Sequence, residues 1–454
     1  METFSIKYLI ERYSKSSGRS KEAARNIVLS FFAKGISVIS SLLIVPLTIH
    51  YVNPTQYGIW LTLSSIIGWV TFFDLGLGNG FRNRFVEAKA QEDLELAKNY
   101  LSTTYFAVAG LVFTVFIVLF IGNRFVDWAA FLNVETSYNE ELSGIFVILA
   151  FFFCLSMVAN LVCTMFTADQ KAGLASLIQG GGQFLALIAL WILTRVSEGS
   201  LTNLALYFAG IPCLFTVLVS ILVYSSDSYR VLSPKISNIR IGLLRNIMGL
   251  GMRFFMIYLC MILVFQIINV VISRELGPEA VTEYNIAYKY FSVINMVVNI
   301  IVLPFWSAFT DAYQKGDIIW MKKVVKGLER FWFFSSFAIL VMLIVSNWVY
   351  RIWVGSDVMI DYSLSVAIAI YMIINNLGAI YLNLINGIGT VRIQLIVYFI
   401  FAVISWPLMV FLGREYGIVG IVLVPTMALL MLTTLAKLQL HKIMDNTAKG
   451  IWTK

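Results

Sequence analysis

Charge is scarce in this chain. Of its 454 residues only 13% are Asp, Glu, Lys or Arg, while 59% are hydrophobic, against roughly 25% charged in soluble domains. A water-facing surface needs more charge than this, which excludes a soluble globular fold. Cysteine is scarce too. Cys154, Cys163, Cys213 and Cys260 all fall inside apolar runs without ligand-like spacing, which argues against disulfides and a zinc site and leaves them as small buried hydrophobes. Gly180, Gly181 and Gly182 form the one glycine run that invites a nucleotide reading, and they lack the strand and helix context of a phosphate loop. No cofactor and no metal are therefore assigned.

What the chain does have is long apolar runs. A spanning helix needs about 20 apolar residues, because every backbone N–H and C=O must be satisfied inside the hydrocarbon layer. Twelve windows qualify, so the expectation is an all-α integral membrane protein. Residues 1–25 form a basic N-terminal segment with no cleavable signal pattern, 26–224 an N-lobe of spans 1 to 6, 225–248 a connecting loop, 249–436 a C-lobe of spans 7 to 12, and 437–454 a basic tail. Lysine and arginine set the orientation. With both ends inside, 25 of the 33 fall in inner segments and 5 in outer loops, the asymmetry of the positive-inside rule. The net charge of +8 is then a topology signal rather than a nucleic-acid surface.

The halves resemble each other at an offset of 224 residues. Val52-Asn53-Pro54 parallels Leu276-Gly277-Pro278, and Phe81, Phe85, Glu87, Ala88, Asp93 and Lys98 meet Phe305, Phe309, Asp311, Ala312, Asp317 and Lys322. An even number of spans per half makes this a parallel repeat about an axis along the membrane normal, with a substrate path expected between the halves.

Three cations fall within spans: Lys34 in the first, Arg253 in the seventh and Lys289 in the eighth. Charge inside a bilayer is costly and faces protein, water or a substrate path, although a lysine can also snorkel to the headgroups. Lys34 and Arg253 lie at matching depths and read as a pseudo-symmetric basic pair, with Ser37, Ser41 and Thr48 on the face of Lys34. Asn295 and Asn299 lie one turn apart, and Asn376 and Asn383 share a helix face. Such amides suit a hydroxyl-rich ligand or join helix to helix.

One stretch is more specific. Between Trp69 and Asp93 runs the wording WxxxxDLGLGNGxRNR followed by EAxAxxD, carrying Asp74, Gly76, Gly78, Gly80, Arg82 and Arg84. It resembles the second helix and following loop of the polysaccharide transporter family, the flippases for lipid-linked O-antigen and exopolysaccharide units. The resemblance implies a V-shaped fold of two six-helix lobes with cytoplasmic termini in the bacterial inner membrane. It further implies alternating access for a polyprenyl-diphosphate oligosaccharide, membrane lipids as surroundings, and a polysaccharide polymerase as a partner. Lys34, Arg253 and Lys289 would meet the phosphates, and Asn295, Asn299, Asn376 and Asn383 the sugar. Asp74, Arg82 and Arg84 belong to the shared motif, where they would lock the inner end of the second span, and Asp74 and Asp311 are the candidates for coupling to an ion gradient. The rival readings are a multidrug or cation antiporter of the same superfamily, which should place acids in its cavity, and a lipid II flippase, which usually has two more helices. A membrane polymerase would need a larger outer loop than residues 122–142.

Overall fold

The computed structural model describes residues 18–69, 77–245, 259–355 and 358–453, except for the side chains of 18–28, 79, 83, 90, 303, 304, 306–308, 310, 311 and 314. Helices are joined by turns throughout, and no strand occurs among the described residues. In chain order they are α1 (Gly18–Tyr51), α2 (Pro54–Gly68), α3 (Leu77–Ala90), α4 (Leu94–Gly122), the short α5 (Trp128–Leu132), α6 (Asn139–Ala159), α7 (Leu161–Ala168), α8 (Ala172–Val196) and α9 (Leu201–Ser225), then α10 (Ile268–Leu276), α11 (Pro278–Gln314), α12 (Ile318–Trp353), α13 (Tyr362–Ile388) and α14 (Arg392–Met444). A π-helical turn, Ile262–Gln266, precedes α10.

Ten stretches among the described residues are long and apolar enough to cross a bilayer. Their surface fits hydrocarbon. On α12, Phe333, Phe337, Val341, Ile344, Trp348 and Ile352 are exposed at helical spacing, a stripe that would aggregate in water and is satisfied by lipid. The expected eleventh and twelfth spans make up α14, whose helix breaks at Gly417 (φ 61°, ψ −146°). There the chain doubles back, so closely that a side chain at Gly420 would collide with the Leu412 carbonyl and a Cβ at Gly413 would lie 2.8 Å from Ile421. The expected fourth span is likewise two segments, α6 and α7, meeting at Asn160.

Packing divides the chain into two compact units. Among the described residues, one holds those of 1–52, 67–128 and 137–256, the other those of 53–66, 129–136 and 257–454. In the first unit α8 close-packs on its glycines. A Cβ at Gly180 would lie 2.9 Å from the Ala33 carbonyl oxygen of α1, one at Gly181 3.3 Å from Phe215, and one at Gly182 3.3 Å from Pro212 of α9. Small residues of this kind let helices approach where lipid supplies no hydrophobic drive between them.

The 224-residue offset reappears in local structure. Asn53 (φ 139°) and Gly277 (φ 91°) both take left-handed backbone, and the prolines that follow open α2 and α11, where a missing N–H costs nothing. Asp93 accepts from the Leu96 N–H at 2.8 Å and Asp317 from the Trp320 N–H at 3.0 Å, so equivalent aspartates cap α4 and α12. Phe81, Phe85 and Ala88 lie in the core of the first unit, and Phe309 and Ala312 lie in that of the second with Phe305 packed against them. Within the second unit the two helix starts touch reciprocally. Thr282 donates to the Pro54 carbonyl at 2.6 Å, while its counterpart Gly58 sits so close to the Pro278 carbonyl that any Cβ would collide. Thr55 donates to its own counterpart, Glu279, at 2.7 Å. A contact in which i meets j and j meets i is the signature of a local two-fold.

Candidate functional site

The helix α11 starts at Pro278 and runs 37 residues, and its sequence puts polar groups every third or fourth position: Thr282, Asn285, Lys289, Ser292, Asn295 and Asn299. At 1.5 Å per residue the row from Asn285 to Asn299 extends ~21 Å along one side of the helix. Its upper part bridges three helices. Asn285 donates to Asn269 Oδ1 at 2.9 Å, and Asn269 on α10, one turn beyond the π-helical segment, donates to Ser65 Oγ on α2 at 2.7 Å. π-Turns shift the register of everything after them and recur at functional sites. Lys289 Nζ lies 3.5 Å from the Tyr57 hydroxyl of α2, and the Ser292 hydroxyl donates to the Lys289 carbonyl at 2.8 Å.

The lower part couples α11 to α13. Asn295 Nδ2 donates to Asn376 Oδ1 at 2.8 Å. Asn299 donates to both the carbonyl (2.9 Å) and Oδ1 (3.1 Å) of Asn295. Asn376 is fully buried, and its Nδ2 has no hydrogen-bond partner among the described residues. An unpaired buried amide donor is expensive to leave unmade. Asn383, expected on the same face, donates instead to the Ala379 carbonyl of its own helix at 2.6 Å. The row therefore combines one cation with amides that both donate and accept, the chemistry of binding and not of bond-making.

The other expected residues are placed less tellingly. Lys34 is an exposed residue of α1; of its polar face Ser37 lies against the Gly180 contact with α8, while Ser41 and Thr48 donate to carbonyls of α1 itself. Arg253 and Asp74 fall outside the described residues, as does the side chain of Asp311. Arg82 is exposed on α3. Arg84 pairs with Glu87 one turn on at 2.7 Å, and that hydrogen bond raises its pKa.

A second polar cluster was not anticipated. Asp169, in the turn between α7 and α8, accepts hydrogen bonds from Lys89 of α3 and from the Tyr229 hydroxyl, the latter at 2.7 Å, while Lys171 donates to that hydroxyl at 2.7 Å and lies 3.3 Å from the carboxylate. Burial alone would push the Asp169 carboxyl up. The hydrogen bonds from Lys89 and Tyr229 and the charges of Lys89 and Lys171 outweigh it and hold the carboxyl below its ordinary range. Its Asp-x-Lys spacing in a tight turn is a weak signal, and the Lys89 partner lies 80 residues away. Also in the first unit, an apolar recess of about 600 Å³ is lined by Leu43, Pro46, Leu47 and His50 of α1 and Leu187, Ile188 and Trp191 of α8.

Comparison with known proteins accords with these features. The family described as polysaccharide biosynthesis protein matches residues 23–307. A protein named for O-antigen export in Yersinia pseudotuberculosis is 24% identical over 383 residues, covering 80% of this chain and 83% of the relative. One named for O-antigen transport in Salmonella typhi is 20% identical over 415 residues, 88% and 90% of the two chains. Among solved structures, an inward-facing multidrug resistance transporter of the MATE family and MOP superfamily superposes with a TM-score of 0.73 at 15% identity, covering 93% of this chain and 96% of the other. The lipid II flippase MurJ in an inward closed conformation superposes with a TM-score of 0.69 at 12% identity, covering 93% and 90%. At these identities the likeness is one of fold.

Proposed function

Since the chain belongs to the polysaccharide biosynthesis protein family, we propose that it is a flippase that moves a polyprenyl-diphosphate-linked oligosaccharide, an O-antigen or exopolysaccharide repeat unit, from the inner to the outer leaflet by alternating access. On this reading it is a transporter of the bacterial inner membrane and not an enzyme. Ten spanning stretches become twelve spans when α14 is divided at Gly417 and α2 is counted as the start of the second. Both ends are cytoplasmic on this reading, and 26–224 and 249–436 are the two six-helix lobes, although residues 53–66 of the first pack within the second compact unit.

The observation that carries the substrate class is the row on α11. A lipid-linked glycan brings an anionic diphosphate and a hydrated sugar that cannot cross hydrocarbon bare. Lys289 supplies a cation beside amides at Asn285, Asn295, Asn299 and Asn376, with Lys34 and Arg253 as further phosphate partners and Asn383 as a further sugar contact. The apolar recess on α1 and α8 is of a size and polarity suited to an isoprenoid chain. Asp74, Arg82, Arg84 and Asp311 serve the gate. A polymerase that consumes the delivered unit is the protein partner. The names of the relatives support the same cargo.

The fold likeness to a multidrug transporter supplies the rival, and ligand stabilisation separates the two. Purified protein warmed with a polyprenyl-diphosphate oligosaccharide should melt at higher temperature than protein with a lipophilic cation dye, because only a ligand that binds the folded state stabilises it. Stabilisation by the dye alone would move the chain to the multidrug branch.

A further inference from the structure

The segment between α9 and the next span is more than a connector. Residues 226–245 form three short 3-10 turns, Arg230–Leu232, Ile236–Asn238 and Ile241–Leu243, and each begins at or beside a basic–aliphatic pair: Arg230-Val231, Lys235-Ile236 and Arg240-Ile241, spaced five residues apart. The aliphatic members point outward, with Val231, Ile236 and Ile241 60%, 88% and 69% exposed. All three basic partners, and Arg245 after them, are exposed as well. Asp227 is the one acid in the segment.

The turns are held in place from behind. Leu232 is buried in the core of the first unit and Leu243 packs against it. Ser102 and Thr103 of α4 accept the backbone N–H groups of Lys235 (3.2 Å) and Arg240 (2.9 Å), and Asn238 donates to Asn99 at 2.9 Å. Tyr229 is fixed by Asp169 and Lys171. A rigid backing thus presents exposed aliphatic and cationic side chains in alternation along the segment, with the Arg240 guanidinium also donating to the Ser237 and Ile239 carbonyls at 3.0 and 3.2 Å.

Both neighbours of the segment are membrane spans, Leu201–Ser225 and Leu259–Leu276, so it is tethered at the bilayer surface whichever way the protein faces. Aliphatic side chains there are satisfied by the upper acyl chains, and interleaved Lys and Arg by headgroup phosphates. We propose that residues 226–245 are a preformed anchor that docks on anionic phospholipid headgroups, with Val231, Ile236 and Ile241 entering the interface and Arg230, Lys235 and Arg240 holding the phosphates. This rests on the chain being membrane-spanning and not on what it carries.

The test uses full-length protein in nanodiscs, with an environment-sensitive fluorophore on Ile236→Cys. The four native cysteines are buried, so the label is selective. Quenching is read with nitroxide-bearing lipids and with aqueous iodide, in phosphatidylcholine alone and with phosphatidylglycerol added. The expected result is lipid quenching that dominates when phosphatidylglycerol is present. Neutralising Arg230, Lys235 and Arg240 to Gln should lower the constant for partition into lipid about fivefold per charge, with elution volume and tryptophan fluorescence unchanged. Iodide-dominated quenching in the presence of phosphatidylglycerol would overturn the proposal. So would equal lipid quenching in both disc types, which would mean insertion without headgroup recognition, and so would protection from both quenchers, which would mean that the segment lies against protein.

Discussion

Helices α2 and α11 occupy equivalent places in the 224-residue repeat, yet they differ in what they carry. Both open on a proline after left-handed backbone, and their starts pack against each other reciprocally through Pro54, Gly58, Pro278 and Thr282. Beyond that crossing they diverge. Where α11 has Asn285 and Lys289, α2 has Leu61 and Ser65. The repeat preserves the scaffold, set by turn chemistry and close backbone approach, while the chemistry that can meet a ligand sits on one copy. A polar group in a membrane interior is costly unless it is used, so the copy that retains the cost is the one expected to bind.

The sharpest way to break the shared scaffold is at the crossing. Gly58→Leu should destabilise the protein by about 3 kcal/mol or more, because the obstacle is the Pro278 backbone and no rotamer avoids it; loss of monodisperse protein in fluorescence size exclusion is the readout, and a well-behaved variant would refute the reciprocal contact. The difference between copies is tested by giving α11 the residue of α2. Lys289→Ser should reduce transport roughly tenfold with little effect on yield, and Lys289→Arg should recover most of it, since charge is the property required. Asn376→Leu should be nearly neutral for stability, about 0.6 kcal/mol being typical of a polar contact between membrane helices, while transport falls. A large loss of stability without a specific transport defect would make the pair with Asn295 structural glue.

Smaller effects probe the scaffold. Asp169→Asn should cost about 1 kcal/mol near neutral pH, screened because Lys89 and Lys171 are about one-third exposed. The sign follows from the lowered Asp169 pKa. The stabilisation is complete above the unfolded carboxylate value, roughly 3.9, and is lost as pH falls through the lower folded value. The gap between wild type and variant should therefore be flat from pH roughly 5 upward and close only in stronger acid. Asp93→Ala and Asp317→Ala should each remove a helix cap at about 1 kcal/mol, and melting curves showing equal losses would mark the two caps as true equivalents.

Much of this scaffold was legible in the chain. The apolar runs, the Asn53-Pro54 and Gly277-Pro278 starts, and the Asp93 and Asp317 matches all recur as structure, because local propensity and capping act over a few residues. The site was legible only in part. Asn295, Asn299 and Asn376 were singled out from helix faces, and the structure joins them. Asn269 and Asn285 were missed because their link to Ser65 depends on how three helices meet, which periodicity does not encode. Gly180, Gly181 and Gly182, set aside in the sequence as a phosphate loop, are the packing surface of α8. Of the partners of Asp169, Lys171 lies two residues on, but Lys89 and Tyr229 lie 80 and 60 residues away and leave no local pattern.

Leaflet transfer of the glycolipid is the direct test of the cargo. Protein in proteoliposomes is given a fluorescently labelled polyprenyl-diphosphate oligosaccharide on one leaflet, beside vesicles loaded with a lipophilic cation dye. The expected result is movement of the glycolipid to the opposite leaflet, reduced in Lys289→Ser, with no dye efflux. Dye efflux without glycolipid transfer would contradict it.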